Sequence, residues 1–337
     1  MLNEILYGVP IVLFLFKRKD YLEKIVSVLR GIRPSRIYLL SDQGRNEQEK
    51  RLVCEVREMA LQLIDWPCDV VKFFASQNLG VYKNIALGAK RVFEKEKWAI
   101  FLEDDNLPDP YFFTFCREML ERFERDDKVI WICGTNYLEE YENNRKESYF
   151  FTQHMLPCGW ASWSHKFAEY DFELSLLSDP KAMSVFIKSF SNHALARQQL
   201  ALIRHERIRK RQTGKYLSWD YHMQLTLRAK GLLGVTPSRN LINNIGVDQH
   251  STHGGVSNEI EMTIRFCNIP TKALSEPFIH PMNHQIDEKF DAQMSKILLW
   301  PLKDRLKYYL SQIIKVSLRI PIDASITKTL SRCLNRR

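Results

Sequence analysis

Residues 98–105 read WAIFLEDD, and this stretch decides the fold class because three acids directly follow an apolar run of strand length. The next residues, NLPDPYFF (106–113), stop the strand at a proline and lead into a predicted helix. A continuous apolar run without polar alternation is typical of a strand that is buried on both faces of a parallel sheet. The sequence therefore predicts an interior strand with three carboxylates at its carboxyl end.

Three more apolar runs precede this strand, and a helical pattern follows each of them. They are PIVLFLF (residues 10–16), IYLLSD (37–42) and DVVKFF (69–74). Short strands that alternate with amphipathic helices are typical of βαβ units, so we predict a Rossmann-like α/β fold with a mostly parallel sheet flanked by helices. A length of 337 residues, with 45% hydrophobic and 26% charged residues, fits one large folded core with an appended segment.

Cysteine usage and the N-terminal apolar run indicate the cellular compartment. The seven cysteines form no C-x-x-C pair and have no zinc-ligand spacing, which predicts reduced thiols in the cytoplasm. The N-terminal run is far shorter than the roughly 20 residues that a membrane span needs, and acidic Glu4 precedes it in place of a basic segment. We therefore expect a strand here rather than a signal peptide.

Polar side chains follow three of the four predicted strands. Lys17 and Arg18 follow the first, Asp42 ends the second, and the acid triplet (residues 103–105) ends the fourth. In parallel α/β sheets, ligands bind beyond the carboxyl ends of the strands. Two basic side chains and four carboxylates at this edge suit an anionic ligand held through Mn²⁺ or Mg²⁺, since both cations prefer oxygen ligands. The alternative for the triplet is a charged cap of the helix that follows.

Asp220 is a candidate catalytic group because it stands between Trp219 and Tyr221. A carboxylate beside aromatic rings is partly desolvated, which suits a general base near neutral pH. The alternative is that Asp220 caps the helix predicted over residues 218–231.

Two further groups of residues have both a binding and a structural interpretation. His250 and His253 lie in DQHSTHGG (residues 248–255), where either imidazole could meet a phosphate or a metal, while a lone loop histidine is usually only solvated. Trp160 and Trp163 suit the face of an acceptor sugar, and the alternative for both is core packing.

The order of these motifs resembles that of the GT-A fold nucleotide-sugar glycosyltransferases, in particular the N-acetylglucosaminyltransferase I type and its bacterial family 2-like relatives. The resemblance covers residues 9–255 and implies a catalytic domain over residues 1–255, with a nucleotide-binding half (1–125), an acceptor-binding half (126–255) and a C-terminal extension (256–337). The matching segments are the strand ending near Arg18, SDQG (41–44), YKNIA (82–86), LEDD (102–105) followed by PDPYFF (108–113), the strand of Trp131, PCGW (157–160), WDY (219–221) and STHG (251–254).

The resemblance also implies a role for each matching residue. Asp105 would be the direct ligand of Mn²⁺ or Mg²⁺, and Asp220 would be the general base. The implied donor-binding residues are Lys83, without a more specific role, Arg18 with the nucleotide, Asp42 with the uracil, Glu103 with the sugar, Asp104 with the ribose, and Ser251 or His253 with the diphosphate. The implied acceptor-binding residues are Trp160, Trp163 and Trp219.

The activity implied by the resemblance is transfer of a sugar from a nucleotide-sugar, a UDP-sugar in particular, with inversion at the anomeric carbon. The acceptor would be a hydroxyl of a glycan or a lipid-linked molecule in surface polysaccharide or glycoconjugate synthesis. A basic block at residues 204–215 has no counterpart in the family, and we expect it to bound the acceptor site.

Nearly all of the net charge of +9 is in the C-terminal segment, which has ten basic and two acidic residues from residue 293 onward. Apolar residues at helical spacing between about residues 298 and 320 predict a basic amphipathic helix. Such a helix suits peripheral attachment to an anionic membrane at its cytoplasmic face, and the alternative is packing on the catalytic domain.

Two other function classes compete with the transferase interpretation. A basic pI of 9.1 suggests nucleic-acid binding through the tail, but no nucleic-acid motif occurs, and we expect no nucleic-acid partner. A sugar nucleotidyltransferase would also use acids and a metal, but would carry a glycine-rich phosphate loop after the first strand. The sequence KRKD (residues 17–20) at this point has no glycine.

Overall fold

The computed structural model describes residues 6–247 and 265–334, and its centre is an eight-stranded sheet. The strands in chain order are β1 (Ile11–Leu15), β2 (Arg36–Ser41), β3 (Asp69–Phe74), β4 (Trp98–Leu102), β5 (Asn106–Pro108), β6 (Val129–Cys133), β7 (Tyr149–Thr152), β8 (Trp160–Trp163), β9 (Leu233–Pro237) and β10 (Ile242–Asn244). The main sheet has the order β3-β2-β1-β4-β8-β6-β9-β7, and β10 pairs with β5 in a separate ribbon.

Six strands of the main sheet run in one direction, while β7 and β8 run against their neighbours. All four strands predicted from the apolar runs are present and pair in parallel. The predicted Rossmann-like, mostly parallel α/β sheet flanked by helices is therefore confirmed.

Helices cover both faces of the sheet. They are α1 (Lys19–Ile32), α2 (Glu47–Leu63), α3 (Gly88–Phe93), α4 (Pro110–Arg122), α5 (Ser164–Phe167), α6 (Pro180–Lys188), α7 (His193–Thr213), α8 (Asp220–Ala229), α9 (Glu288–Leu298), α10 (Leu302–Ser317) and α11 (Ile326–Leu334). None of the helices in the described ranges is long and apolar enough to cross a membrane.

The two-residue period of the strands divides the core into two layers. In β1, Ile11 and Leu13 join the cluster under α1, α2 and α4, while Val12 and Phe14 join the cluster under α3 and α6–α9. Because side chains of a strand alternate between faces, a strand covered on both sides needs apolar residues throughout. This is the physical reason for the uninterrupted apolar runs in the sequence.

The register of the parallel strands brings Arg18 to the acid triplet. Leu13 of β1 pairs with Leu102 of β4, so the chain leaves both strands at the same edge of the sheet. Arg18 caps the start of α1, and residues 103–105 begin directly after β4. The two segments therefore meet although about eighty-five residues separate them in the sequence, as expected at the carboxyl edge of parallel strands.

The helix after the triplet has its own cap. The Asp109 side chain accepts a hydrogen bond from Tyr111 N at 2.9 Å, and Pro110 occupies the first turn of α4. The alternative interpretation of the triplet as the cap of this helix is therefore wrong, because Asp109 fills that position.

The helix α9 packs against the core. Phe290 and Met294 are buried, and Asp291 Oδ1 lies 3.0 Å from Nε2 of the buried His154. The next helix differs from α9, because α10 has no buried residue along its length.

Candidate functional site

A cavity of about 790 Å³ opens at the carboxyl edge of the sheet. Its lining comes from the ends of β1, β2 and β4, the loop after β3, the segments that follow β6, β7 and β10, the helices α7 and α8, and the segment around α9 and α10. A volume of this size is in the range of pockets that hold small-molecule ligands or cofactors. The predicted location of a ligand site beyond the strand ends thus coincides with a real cavity.

The acid triplet lines this cavity together with Asp220. Burial raises the pKa of the Glu103 carboxyl well above its usual range, and the charges of Asp105, Asp104 and Asp220 add to the effect. Burial also raises the pKa of Asp104 to about 6, although the Arg18 guanidinium opposes this shift. Concentrated negative charge of this kind favours a cationic group or a metal inside the cavity.

Arg18 is the cation that the structure holds at the triplet. Its Nη1 atom lies 2.8 Å from Asp104 Oδ1 and 2.8 Å from Asp105 Oδ2. Lys17, the other basic residue predicted for this edge, instead donates to Glu49 Oε1 at 2.9 Å. Only one of the two basic side chains therefore contacts the triplet.

Asn106 fixes the turn that carries the triplet. Its Nδ2 donates to Asp105 Oδ1 at 2.8 Å, and its Oδ1 accepts from Gly159 N at 2.8 Å. The side chain is buried, so these bonds are made away from water and hold Asp105 rigidly. Asn106 is not among the residues predicted for the site, and its only signal in the sequence is its place directly after three acids.

Gly246 allows the backbone of the following loop to approach Asp105. A Cβ atom at this position would clash with Asp105 Oδ2 and press on Asn244 Oδ1. Ile245 N also donates to the Asp105 carbonyl at 2.9 Å. The loop after β10 therefore covers Asp105 and requires glycine at position 246.

Asp42 lines the cavity, but its carboxylate is engaged in holding a loop. Oδ1 accepts from the backbone N–H groups of Gln43 and Leu79, and Oδ2 accepts from Gly80 N and Asn78 Nδ2, all at 2.7–3.0 Å. A carboxylate has about four acceptor positions, and all four are used here. In this arrangement Asp42 orders residues 78–80 and has no position left for a base.

Asp220 is the first residue of α8, and Ser218 Oγ donates to its Oδ1. Trp219 lies beside it in the cavity wall, with its ring centroid 5.6 Å from that of Trp160. The N-cap position of α8 is occupied by Trp219 and Asp220 is already helical, so the alternative that Asp220 caps this helix is wrong. Its carboxylate is in the same cavity as the triplet, as the catalytic interpretation requires.

Trp160 and Trp163 are in the core and do not line the cavity. Trp160 stacks between Phe101, with centroids 3.8 Å apart, and Trp131, with centroids 4.4 Å apart. Trp163 is fully buried and donates to Leu120 O at 2.9 Å. Both belong to β8, which is covered on both faces, so the core-packing interpretation holds and neither ring can meet an acceptor from this position.

Lys83, another predicted donor contact, is exposed and lies outside the cavity lining, whereas the next residue, Asn84, is part of the lining. Ser251, His253 and His250 lie outside the described residues. The expected phosphate contacts from that segment therefore remain predictions.

The basic block forms the end of α7 and the turn after it, and its residues His205, Glu206 and Arg209 line the cavity. That the block bounds an acceptor site stays a prediction. Its only acid, Glu206, is buried and accepts from Leu217 N at 2.8 Å and Ser218 N at 3.0 Å. Arg209 pairs with the other oxygen of Glu206 and with Asp323. Glu206 thus fixes the loop directly before Asp220, and its signal in the sequence was a lone acid inside a basic helix.

Comparison with known proteins gives distant structural likenesses. No protein-family model matches the chain, and no curated protein matches it. One similar solved structure is the mannosyltransferase PcManGT from Pyrobaculum calidifontis in complex with GDP-Man and Mn²⁺, with 12% identity over 67% of this chain and 70% of that one, and a TM-score of 0.35.

Two nucleotide-handling enzymes of other activities are similar to the same degree. A UDP-glucose pyrophosphorylase complexed with UDP-glucose has 10% identity over 70% of this chain and 93% of that one, with a TM-score of 0.35. The 4-diphosphocytidyl-2C-methyl-D-erythritolsynthase from Anaerococcus prevotii has 8% identity over 58% and 82%, with a TM-score of 0.31. At these scores the likenesses carry no argument about activity, which has to come from the cavity itself.

Proposed function

We propose that the protein is a glycosyltransferase that moves a sugar from a nucleotide-diphosphate donor, a UDP-sugar in particular, to a hydroxyl of a glycan or lipid-linked acceptor. The observation that carries the proposal is that Asp220 and the acid triplet line one cavity from opposite parts of the chain. A transferase needs both a site for the donor diphosphate and a separate base for the acceptor. This cavity offers residues for each.

The donor end of the cavity is the part beside Arg18 and the triplet. Arg18 would contact the diphosphate, while Asp104 and Glu103 would accept hydrogen bonds from the ribose and sugar hydroxyls. The loop of residues 78–80, held by Asp42, lines the same cavity and would present backbone groups to the base. In this proposal Asp42 acts through the loop that it positions.

Mn²⁺ or Mg²⁺ fits the donor chemistry of this site, since carboxylate oxygens line it and these cations are held by one or two carboxylates plus substrate phosphates. Asp105 is the proposed ligand. When bound, the metal would supply electrostatic stabilisation of the leaving diphosphate. Within residues 6–247 and 265–334, no group of three or more His, Cys, Asp or Glu side chains is arranged to hold a metal, so the proposal requires substrate oxygens to complete the coordination.

Arg18 connects metal binding to donor binding in this proposal. Its guanidinium lies against Asp105 Oδ2 at 2.8 Å, and a second cation at that oxygen is repelled while Arg18 stays there. A diphosphate offers Arg18 a stronger, bidentate partner. The donor would therefore draw Arg18 away from Asp105 and open the carboxylate at the same time.

Asp220 is the proposed general base. Its carboxylate would take the proton from the acceptor hydroxyl as that oxygen forms a bond to the anomeric carbon. The bond from the anomeric carbon to the diphosphate breaks on the opposite face, so the configuration inverts. The hydrogen bond from Ser218, with Glu206 holding the loop, orients Asp220 for this step.

The experiment that tests the proposal is a panel of nucleotide-sugars measured for protection against thermal unfolding, with and without Mn²⁺. Stabilisation should follow RT ln(1 + [L]/Kd) for the correct donor. A separate assay mixes the protein with a nucleoside triphosphate and sugar 1-phosphates and measures pyrophosphate. Release of pyrophosphate from that pair would identify a nucleotidyltransferase. Absence of protection by every nucleotide-sugar would contradict the proposed function.

A further inference from the structure

The helix α10 turns its apolar side away from the protein. Five of its large aliphatic residues are more than half exposed, from 53% for Leu306 to 77% for Val316, and a sixth, Ile314, is 40% exposed. The apolar row at spacings of three and four residues consists of Leu302, Leu306, Leu310, Ile313 and Val316. A helix on the surface of a globular domain normally buries such a row, so this orientation is reversed.

Side chains outside the apolar row contact α7 and the segments that flank α10. Arg305 Nε donates to Trp300 O at 3.0 Å, and Tyr308 OH lies 3.1 Å from His205 Nδ1 of α7. Lys315 Nζ donates to Ile322 O at 2.5 Å. The polar contacts hold the helix in place, and within the described residues the apolar row stays on the surface.

The charges beside the apolar row fit an anionic surface. Lys303 and Lys307 are exposed and follow one residue after Leu302 and Leu306, so they border the row along one side of the helix. Asp304, the only acid of the helix, is on the other side of it. A second copy of this helix would bring two lysine rows together, whereas an anionic lipid surface meets both the apolar row and the lysines.

The dimensions favour a helix lying on a bilayer. Sixteen residues at ~1.5 Å each give a length of about 24 Å, shorter than a bilayer core, and the polar contacts along one side exclude insertion across it. Trp300 stands two residues before the first residue of the helix and Tyr309 lies on it, and both residue types prefer the interface between lipid and water.

We propose that α10 docks by its apolar face on an anionic membrane surface. The same helix walls the cavity from its opposite side, because Tyr308 lines the cavity together with Trp300. A docked α10 would therefore hold the cavity about one helix diameter, roughly 10 Å, from the membrane surface, which favours acceptors held in the same membrane and makes a lipid-linked acceptor the substrate class. This last step rests on the proposed transferase function, while docking itself does not.

Flotation of the full chain with lipid vesicles tests the docking surface. Vesicles of phosphatidylcholine with about one third phosphatidylglycerol are compared with vesicles of phosphatidylcholine alone. The wild type should float with the anionic vesicles, and the double variant Leu306→Glu/Leu310→Glu should lose at least tenfold in bound fraction. The matched control is Leu61→Glu/Val185→Glu, which changes two exposed apolar residues on α2 and α6 and should float as the wild type does.

Two outcomes overturn the docking proposal: a wild type that stays unbound to anionic vesicles, or an α10 variant that floats equally well. A wild-type dimer that the α10 variant converts to a monomer, without flotation of either, would assign the face to a second copy. Protection by nucleotide-sugars is measured on the same proteins without vesicles. Loss of docking with protection intact removes only this inference, and loss of protection with docking intact removes only the transferase proposal.

Discussion

Arg18 and Asp105 are joined inside the cavity by a contact of 2.8 Å between Nη1 and Oδ2, and the same Nη1 atom also contacts Asp104. The positive charge that balances the acids thus belongs to the protein itself. This relationship makes the affinity for a metal depend on where Arg18 lies. A measurement of metal binding without nucleotide can therefore report on the position of one side chain.

We expect Arg18→Met to bind Mn²⁺ about tenfold more tightly than the wild type in the absence of nucleotide, which corresponds to about 1.4 kcal/mol. The reason is that the variant removes a cation from two carboxylates. The same variant should bind the donor nucleotide more weakly. Titration of free Mn²⁺ by electron paramagnetic resonance measures the first effect, and Lys19→Met, which changes an exposed lysine paired with Glu55, is the control. Unchanged or weaker Mn²⁺ binding would show that Arg18 does not restrict the metal.

Gly246→Ala should impair donor and metal binding while leaving the fold intact, because the new Cβ would push against the Asp105 carboxylate. Gly31→Ala in α1 is the matched control, since a Cβ there meets nothing within 4 Å. Removing a glycine from a helix should stabilise the control slightly, by about 0.5–1 kcal/mol. Calorimetric titration with the donor compares the two variants, and equal donor affinity in both would contradict the close approach of the loop.

Asp220→Asn should retain protection by the donor and lose transfer by a factor of about 10²–10⁴, as expected when a general base is removed. Asp179→Asn is the control, because Asp179 caps α6 and asparagine caps equally well. Product formation and thermal protection are measured on both variants. If Asp220→Asn transferred sugar at the wild-type rate, the proton would have to go to another group.

The buried ion pair of Glu206 should stabilise the loop before Asp220. Glu206→Ala removes the acceptor of the Leu217 and Ser218 N–H groups and one partner of the Arg209 guanidinium. We therefore expect the free energy of unfolding to fall by about 3–5 kcal/mol. Glu206→Gln keeps one acceptor oxygen and should lose less. Urea unfolding of the two variants gives the comparison, and equal losses would show that the two N–H contacts contribute little.

Stability should fall on acidification because of His222. Burial lowers its pKa to about 4, while Nδ1 contacts Asp171 O at 2.8 Å and Nε2 has no partner among the described residues. Between the unfolded pKa of about 6.5 and the folded value, only the unfolded state binds the proton, so this group lowers the free energy of unfolding by up to about 1.4 kcal/mol per pH unit as pH falls.

Urea unfolding at several pH values between 7.5 and 4.5 checks this dependence. His222→Gln should flatten it, and His165→Gln, a change at an exposed residue, should not. An equal slope in His222→Gln and the wild type would assign the acid sensitivity to other groups, of which His205 is the first candidate because burial lowers its pKa to about 4 as well.

The sheet could be predicted from the sequence because its signals are local. The strands β1, β2 and β4 each contain an unbroken apolar run followed by polar residues, and the carboxyl-edge rule then brings Arg18, Asp42 and the triplet together. The direction of β7 and β8 has no comparable local signal. Their apolar composition fits either direction, since both strands are buried in the same sheet.

Other features depend on contacts between distant segments. The apolar pattern shows which residues of α10 share a face, but not that polar contacts from Arg305 and Tyr308 would turn this face outward. Trp160 follows a turn that suits a binding loop, yet pairing of β8 with β4 places the ring in the core. The sequence around Asp42 does not indicate that four hydrogen-bond donors occupy its carboxylate.

The cavity takes its last wall from Leu298, Trp300 and Tyr308, which the ribosome adds long after the acid triplet and Asp220. A nascent chain that has already folded its sheet would therefore still hold an open cavity. If docking and closure both depend on this same late segment, a partly synthesised protein would have neither its membrane contact nor a complete pocket.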